Sequence, residues 1–304
     1  MKTICAIRTN KWDENAERLF QQLSPVFGDD LVVIFHARPA EVVPPLPCAD
    51  INRRWVRRHG LARPIDWGWR CGDYFYFRLR EAYPDYDHYW LIEPDVFFRG
   101  DVGAFFGAFD NHAHDMLTYR LVKLSRSQSR FARRMPMEEI RRAIFALTRF
   151  SGRALDFLLA ERQAFSLSGE FNRFYPNDEI FSMSHVCAHP EFSQGDMEAI
   201  APEWFETSYF DTAPDILADS LREEDAAPTV GVFHPVHEKR QFKDAVAKRL
   251  VGGNGFLARM NPSLSHLDQA DAEDIVATVS AALFKQLSPL TTGKGAVEPA
   301  KVKT

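Results

Sequence analysis

The stretch His88-Tyr89-Trp90-Leu91-Ile92-Glu93-Pro94-Asp95-Val96-Phe97-Phe98 decides how the rest of the chain is read. It opens as an apolar, aromatic run of strand length and then sets two carboxylates around a proline. Residues two apart on an extended backbone point the same way, so Glu93 and Asp95 can face one pocket. Pro94 cannot donate to a sheet ladder and pushes Glu93 towards extended geometry. The pattern predicts a buried strand that ends at a sheet edge with two acids side by side. Few oxygen ligands with open positions between them suit a hard divalent cation beside a phosphate. A solvated acidic turn at a strand end has the same spacing.

Upstream, residues 3 to 7 read as a first strand. Asn10 or Asp13 can cap a helix whose Ala16, Leu19, Phe20 and Leu23 share one face. Leu31-Val32-Val33-Ile34-Phe35 is a continuous apolar run, as in a parallel strand covered on both sides. Strand, helix and strand at this spacing make a right-handed βαβ unit. The four prolines Pro39, Pro44, Pro45 and Pro47 mark a loop. Arg53-Arg54-Trp55-Val56-Arg57-Arg58 fits a solvated helix face or a diphosphate contact. Asp73 is placed to cap a helix that leads into the central strand.

Downstream, residues 102 to 109 predict a short apolar helix and residues 115 to 120 another strand. Between Arg120 and Arg153 ten basic residues face only Glu138 and Glu139. Ile140, Ala143, Ile144 and Leu147 there have the spacing of one helical face, predicting a helical Arg-rich insertion over about residues 121–165. Such a helix is either a surface helix with an apolar underside or a contact for an anionic membrane surface. A second helix follows Ser151, with Leu155, Leu158 and Leu159 inward. Asp178 and Glu179 stand at the start of a helix, where carboxylates cap or catalyse. Residues 204 to 210 and 229 to 233 read as late strands, the second ending in His234-Pro235-Val236-His237. A strand-end histidine with acids at other strand ends is a candidate ligand.

The domain reading is a main domain over about residues 1–250, a helical extension over about 251–290 after Gly252-Gly253-Asn254-Gly255, and a disordered tail over 291–304. The extension carries Ile275, Val279, Ala282 and Leu283 on one side. A net charge of −5 excludes general nucleic-acid affinity. Cys5, Cys48, Cys71 and Cys187 form no CxxC pair and read as reduced thiols rather than a zinc site or disulfide framework. No signal peptide or membrane span is read, so the expectation is a cytoplasmic protein, at most docked on the inner membrane face. Dinucleotide, Walker and GxSxG signatures are absent from the sequence.

Trp69-Arg70-Cys71-Gly72-Asp73-Tyr74, followed by Tyr83-Pro84-Asp85-Tyr86-Asp87 and the central stretch to Val96, resembles the GT-A fold nucleotide-diphospho-sugar glycosyltransferases, in particular their uncharacterised bacterial branches. The resemblance covers roughly residues 1 to 240 and is most specific over 69–98. It implies an α/β fold with a Rossmann-like, mainly parallel central sheet flanked by helices. In that superfamily an Asp-x-Asp motif holds a divalent metal against the donor diphosphate; here Glu93-Pro94-Asp95 takes its place, with Glu for the first Asp. The resemblance implies Mn2+ or Mg2+ held by Asp95, Glu93 and His234. It places Ile7, Arg8, Thr9, Asp73, Glu93 and Asp95 around the nucleotide-sugar donor. Asp178, then Glu179, would take the acceptor proton if the anomeric centre inverts; a retaining enzyme needs no such base. The implied activity is metal-assisted transfer to a glycan or lipid-linked acceptor, as in polysaccharide biosynthesis. The alternatives are a non-catalytic binding or scaffold protein of the same fold and a metal-dependent hydrolase using His234 and His237.

Overall fold

Alternation along β1 (Thr3–Thr9) explains its place in the interior of a seven-stranded sheet. Ile4 and Ala6 pack into one core and Cys5 and Ile7 into the other, all without solvent exposure. A strand covered on both faces must be apolar in both phases. The computed structural model describes residues 1–168, 174–205, 209–223 and 228–251, with scattered positions between 269 and 285. The chain divides into Met1–Val246 and Ala247–Thr304. In the second unit the described positions between 269 and 285 are helical. The glycine-rich break, Ile275, Val279, Ala282 and the expected tail lie outside the described residues.

After β1 come α1 (Glu14–Phe27), β2 (Leu31–His36), β3 (Cys48–Ile51), α2 (Arg53–Arg58), α3 (Trp67–Arg70), α4 (Asp73–Ala82) and β4 (His88–Ile92). Then follow β5 (Phe97–Arg99), α5 (Val102–Gly107), β6 (Met116–Thr118), β7 (Val122–Leu124), β8 (Ile140–Arg142), β9 (Leu147–Ser151) and α6 (Gly152–Leu167). The first unit continues with α7 (Asp178–Ala188), β10 (Gln194–Asp196), α8 (Met197–Ile200), β11 (Ile216–Leu217), α9 (Ala218–Arg222), β12 (Gly231–Phe233) and β13 (Val236–His237). Helix α10 (Lys239–Val251) follows. The sheet order is β3-β2-β1-β4-β9-β6-β10, with only β9 antiparallel to its neighbours. This is the expected mainly parallel α/β sheet. Strand order runs one way from β1 to β2 and the other way from β1 to β4, which puts the switch point of the sheet at the carboxyl ends of β1 and β4.

The expected helical insertion is helical only from Gly152 onward. Before it, β7 and β8 form an antiparallel hairpin and β9 enters the central sheet. Residues 143 to 150 are all buried, as a strand through a core requires, whereas an amphipathic helix would expose part of each turn. The spacing of Ile140, Ala143, Ile144 and Leu147 mimicked a helical stripe inside that continuous run. The premise for a basic amphipathic membrane helix goes with it. Among the described residues no helix is long and apolar enough to cross a membrane.

Two further expectations are corrected. Trp204 lies in a 3-10 turn begun by Pro202, not in a strand, and Phe210 makes only an isolated bridge to His234. Asp73 does not cap its helix: Gly72 precedes it, and the Asp73 carboxylate pairs with the Arg162 guanidinium in the core. Arg162 has no solvent exposure, donates to the Pro176 carbonyl at 3.0 Å and lies 3.7 Å over the Phe181 ring. It thereby ties α6 to α4 and to the segment that starts α7. Asp73→Ala leaves that cation buried without its counter-ion, and the expected loss is about 3–5 kcal/mol of stability, read by denaturant unfolding.

Candidate functional site

The register of the central pair builds the site. Pairing of β1 with β4 runs from Thr3↔His88 to Ile7↔Ile92, so the next step sets Arg8 beside Glu93. Arg8 Nη1 lies 2.7 Å from Glu93 Oε1 and 3.3 Å from Asp178 Oδ2. Its Nη2 donates to the carbonyls of Gly68, at 3.2 Å, and Trp69, at 2.8 Å. The Phe75 ring lies 4.7 Å beneath the guanidinium. Burial works against the charge of Arg8, but Glu93 and Asp178 outweigh it and raise its pKa, so it stays a cation.

Asp178 begins α7 and is buried. Its Oδ2 accepts from the Gly72 N–H at 2.6 Å and from Arg8; its Oδ1 accepts from the Glu179 N–H at 2.8 Å. Burial pushes its carboxyl up to about 7 despite Arg8. Gly72 sits so close that a Cβ there would collide with both the Arg8 guanidinium and the Asp178 carboxylate. Gly72→Ala should therefore break this contact, at a cost of about 1–3 kcal/mol. The check pairs thermal unfolding with nucleotide binding, and both are expected to weaken.

Glu93, Asp95 and His234 each offer a ligand atom, all within 4.8 Å of one another. His234 Nδ1 lies 2.6 Å from the Asp211 carbonyl. A carbonyl only accepts, so that nitrogen carries a proton. In the neutral ring, Nε2 then presents its lone pair 3.6 Å from Asp95 Oδ1, which is buried and has no hydrogen-bond partner. Two lone-pair atoms facing each other beside a second carboxylate are a donor set completed by a cation. Oxygen, oxygen and imidazole nitrogen fit a divalent ion such as Mn2+. The Asp95 carbonyl accepts from the Val236 N–H at 2.7 Å, which joins the β4 loop to β13.

The remaining expected site residues fall in different places. Glu179 is partly exposed and Asn177 Nδ2 donates to it at 3.3 Å. Burial raises its pKa, and Arg142, Glu93 and His234 are among the charges that act on it. Ile7 is not a pocket residue: its side chain lies in the core under α1. The Thr9 hydroxyl donates to the Lys11 carbonyl at 2.5 Å. Asp73 is 1% exposed and held by Arg162, which keeps it from a bound nucleotide. His237 is engaged by Asn15 and Asp215, each at 3.2 Å, so it does not join His234 as a hydrolase pair would require. His112 and His114 stack on each other. All four cysteines are free thiols.

Sequence reasoning missed the bridging part of Arg8, the close approach at Gly72 and the Asp211 carbonyl that sets the His234 tautomer. Only the first had a signal, in the equal distance of Arg8 and Glu93 from the starts of their strands. A separate cleft of about 520 Å³ opens at the other end of β4, lined by Arg80, Asp87, His88, Asp115, Ser151 and Arg153 among others. It holds none of the site residues above.

No family model and no curated protein matches this chain. Solved structures similar to it include mouse xyloside xylosyltransferase 1 in its apo form, at 12% identity over 66% of this chain and 86% of that chain, with a TM-score of 0.37. A glycosyltransferase involved in glycosylation of the major capsid of PBCV-1 is 9% identical over 80% of this chain and 99% of that chain, with a TM-score of 0.36. A putative glucose-1-phosphate thymidylyltransferase from Bacillus anthracis, in complex with a sucrose, is 10% identical over 56% of this chain and 84% of that chain, with a TM-score of 0.32.

Proposed function

We propose that this chain, built on a mainly parallel α/β sheet, transfers a sugar from a nucleotide-diphosphate donor to a glycan acceptor. The observation that carries this reading is the partnerless Asp95 oxygen facing the His234 lone pair, with Glu93 alongside, at the switch point of the sheet. Asp95, Glu93 and His234 would hold a divalent cation, which when bound supplies positive charge to a departing nucleoside diphosphate. Arg8 holds Glu93 and Asp178 in place and adds a fixed cation behind the ligand carboxylates.

Asp178 has three donors on its two oxygens and is 3% exposed, which suits positioning of Arg8 better than collecting a proton. Glu179 has more access and a raised pKa, so it is the group to take the proton from the acceptor hydroxyl in an inverting reaction. The anomeric carbon–oxygen bond to the diphosphate breaks, a bond to the acceptor oxygen forms, and the acceptor proton passes to the Glu179 carboxylate. The test is incubation with UDP-, GDP- and dTDP-sugars and Mn2+, followed by 31P NMR. One donor class is expected to release its nucleoside diphosphate, slowly to water and faster with an acceptor mixture. An unchanged spectrum for every donor contradicts the proposal.

A further inference from the structure

An exposed aromatic side chain stands beside the Arg8 and Glu93 pair. Trp69 accepts Arg8 through its carbonyl, yet its side chain is 65% exposed. A tryptophan at the wall of a polar site, with its ring in water, is a surface on which sugar C–H groups pack. Phe131, from the segment between β7 and β8, lies edge-on to it, with ring centroids 6.5 Å apart. Arg70 lies 4.8 Å below the Phe131 ring and Arg130 4.6 Å from it. Arg133 lies over Phe174 at 5.1 Å.

The hairpin is anchored to the catalytic helix. The Ala143 N–H, just past β8, donates to the Glu179 carbonyl at 3.4 Å, and the Arg141 N–H donates to Ser184 Oγ at 2.9 Å. From Arg120 to Arg142 the chain has eight basic residues and two acidic ones, in a protein whose net charge is −5. Glu139 is taken up by Lys123 and Arg141. Arg130 and Arg133 are exposed, and both lie over aromatic rings. Cation and ring together match a sugar that carries an anion: the ring takes the apolar face and the guanidinium takes the charge.

We propose that Trp69, Phe131, Arg130 and Arg133 form the acceptor subsite, and that the acceptor is an acidic oligosaccharide bearing carboxylate or phosphate groups. This rests on the transferase reading above. The test is calorimetric titration of the full chain, without donor, against oligogalacturonate, hyaluronan hexasaccharide, phosphomannan fragments and neutral maltohexaose. An acidic oligosaccharide is expected to bind, more weakly as salt rises, while maltohexaose does not. Arg130→Ala/Arg133→Ala and, separately, Trp69→Ala should each weaken that binding by about tenfold or more, leaving Mn2+-dependent UDP or GDP binding unchanged.

Equal affinity for neutral and acidic glycans overturns the proposal, as does wild-type affinity in the double arginine variant. So does an absence of binding to every acidic glycan. The carboxylate and phosphate probes separate the two sources of charge. Intact nucleotide binding with failed glycan binding removes only the subsite. Loss of both removes the transferase reading as well.

Discussion

Asp95→Asn is expected to lower sugar transfer by about a thousandfold. The substitution keeps shape and volume but removes the charge facing His234 Nε2. The loop should stay folded, because its anchor to β13 is the Asp95 backbone carbonyl and not the side chain. The loss should appear in both kcat and kcat/KM, because charge develops on the leaving diphosphate most strongly in the transition state. Steady-state kinetics at saturating Mn2+ checks this, with thermal unfolding as the control for fold. His234→Ala should fall in the same direction by less, since two carboxylates remain.

Glu179→Gln is expected to lower kcat by roughly a hundred- to ten-thousandfold with donor binding retained, the range for a lost general base. The wild-type rate should rise with pH as the Glu179 carboxyl releases its proton. That limb should lie above the usual glutamate range, because burial raises the pKa. In Glu179→Gln the limb should vanish. Asp178 gives a contrasting signature in stability. Its folded carboxyl is pushed up to about 7 from an ordinary 3.8, so between those values the folded chain holds a proton that the unfolded chain has released. Its contribution to stability is present at low pH and lost as pH rises towards neutral. Asp178→Asn should flatten that part of the stability profile. A rate loss in Asp178→Asn as large as in Glu179→Gln, with Arg8 still ordered, would exchange the two roles.

The central strand was legible in the sequence because it is apolar in both phases and then abruptly acidic, a pattern few other elements share. Glu93, Asp95 and His234 were named from strand ends and from the family resemblance, and the fold does bring their ligand atoms together. The Arg-rich segment was misread because residues 143 to 150 are buried throughout, so every periodicity fits them. Asp73 was misread for a different reason: a carboxylate at a helix start has the same local spacing whether it caps or pairs. Its true partner, Arg162, lies far along the chain, and no local pattern links the two. The same holds for Gly72 and Asp178, whose contact joins residues 106 apart in the chain.

The most direct measurement is calorimetric titration of Mn2+ into wild type and Asp95→Asn, each with and without UDP or GDP. Wild type is predicted to bind the metal and nucleoside diphosphate together, each tightening the other, and Asp95→Asn is predicted to lose both the metal heat and the coupling. Metal and nucleotide affinities that are the same in the two proteins would contradict a site built on Glu93, Asp95 and His234.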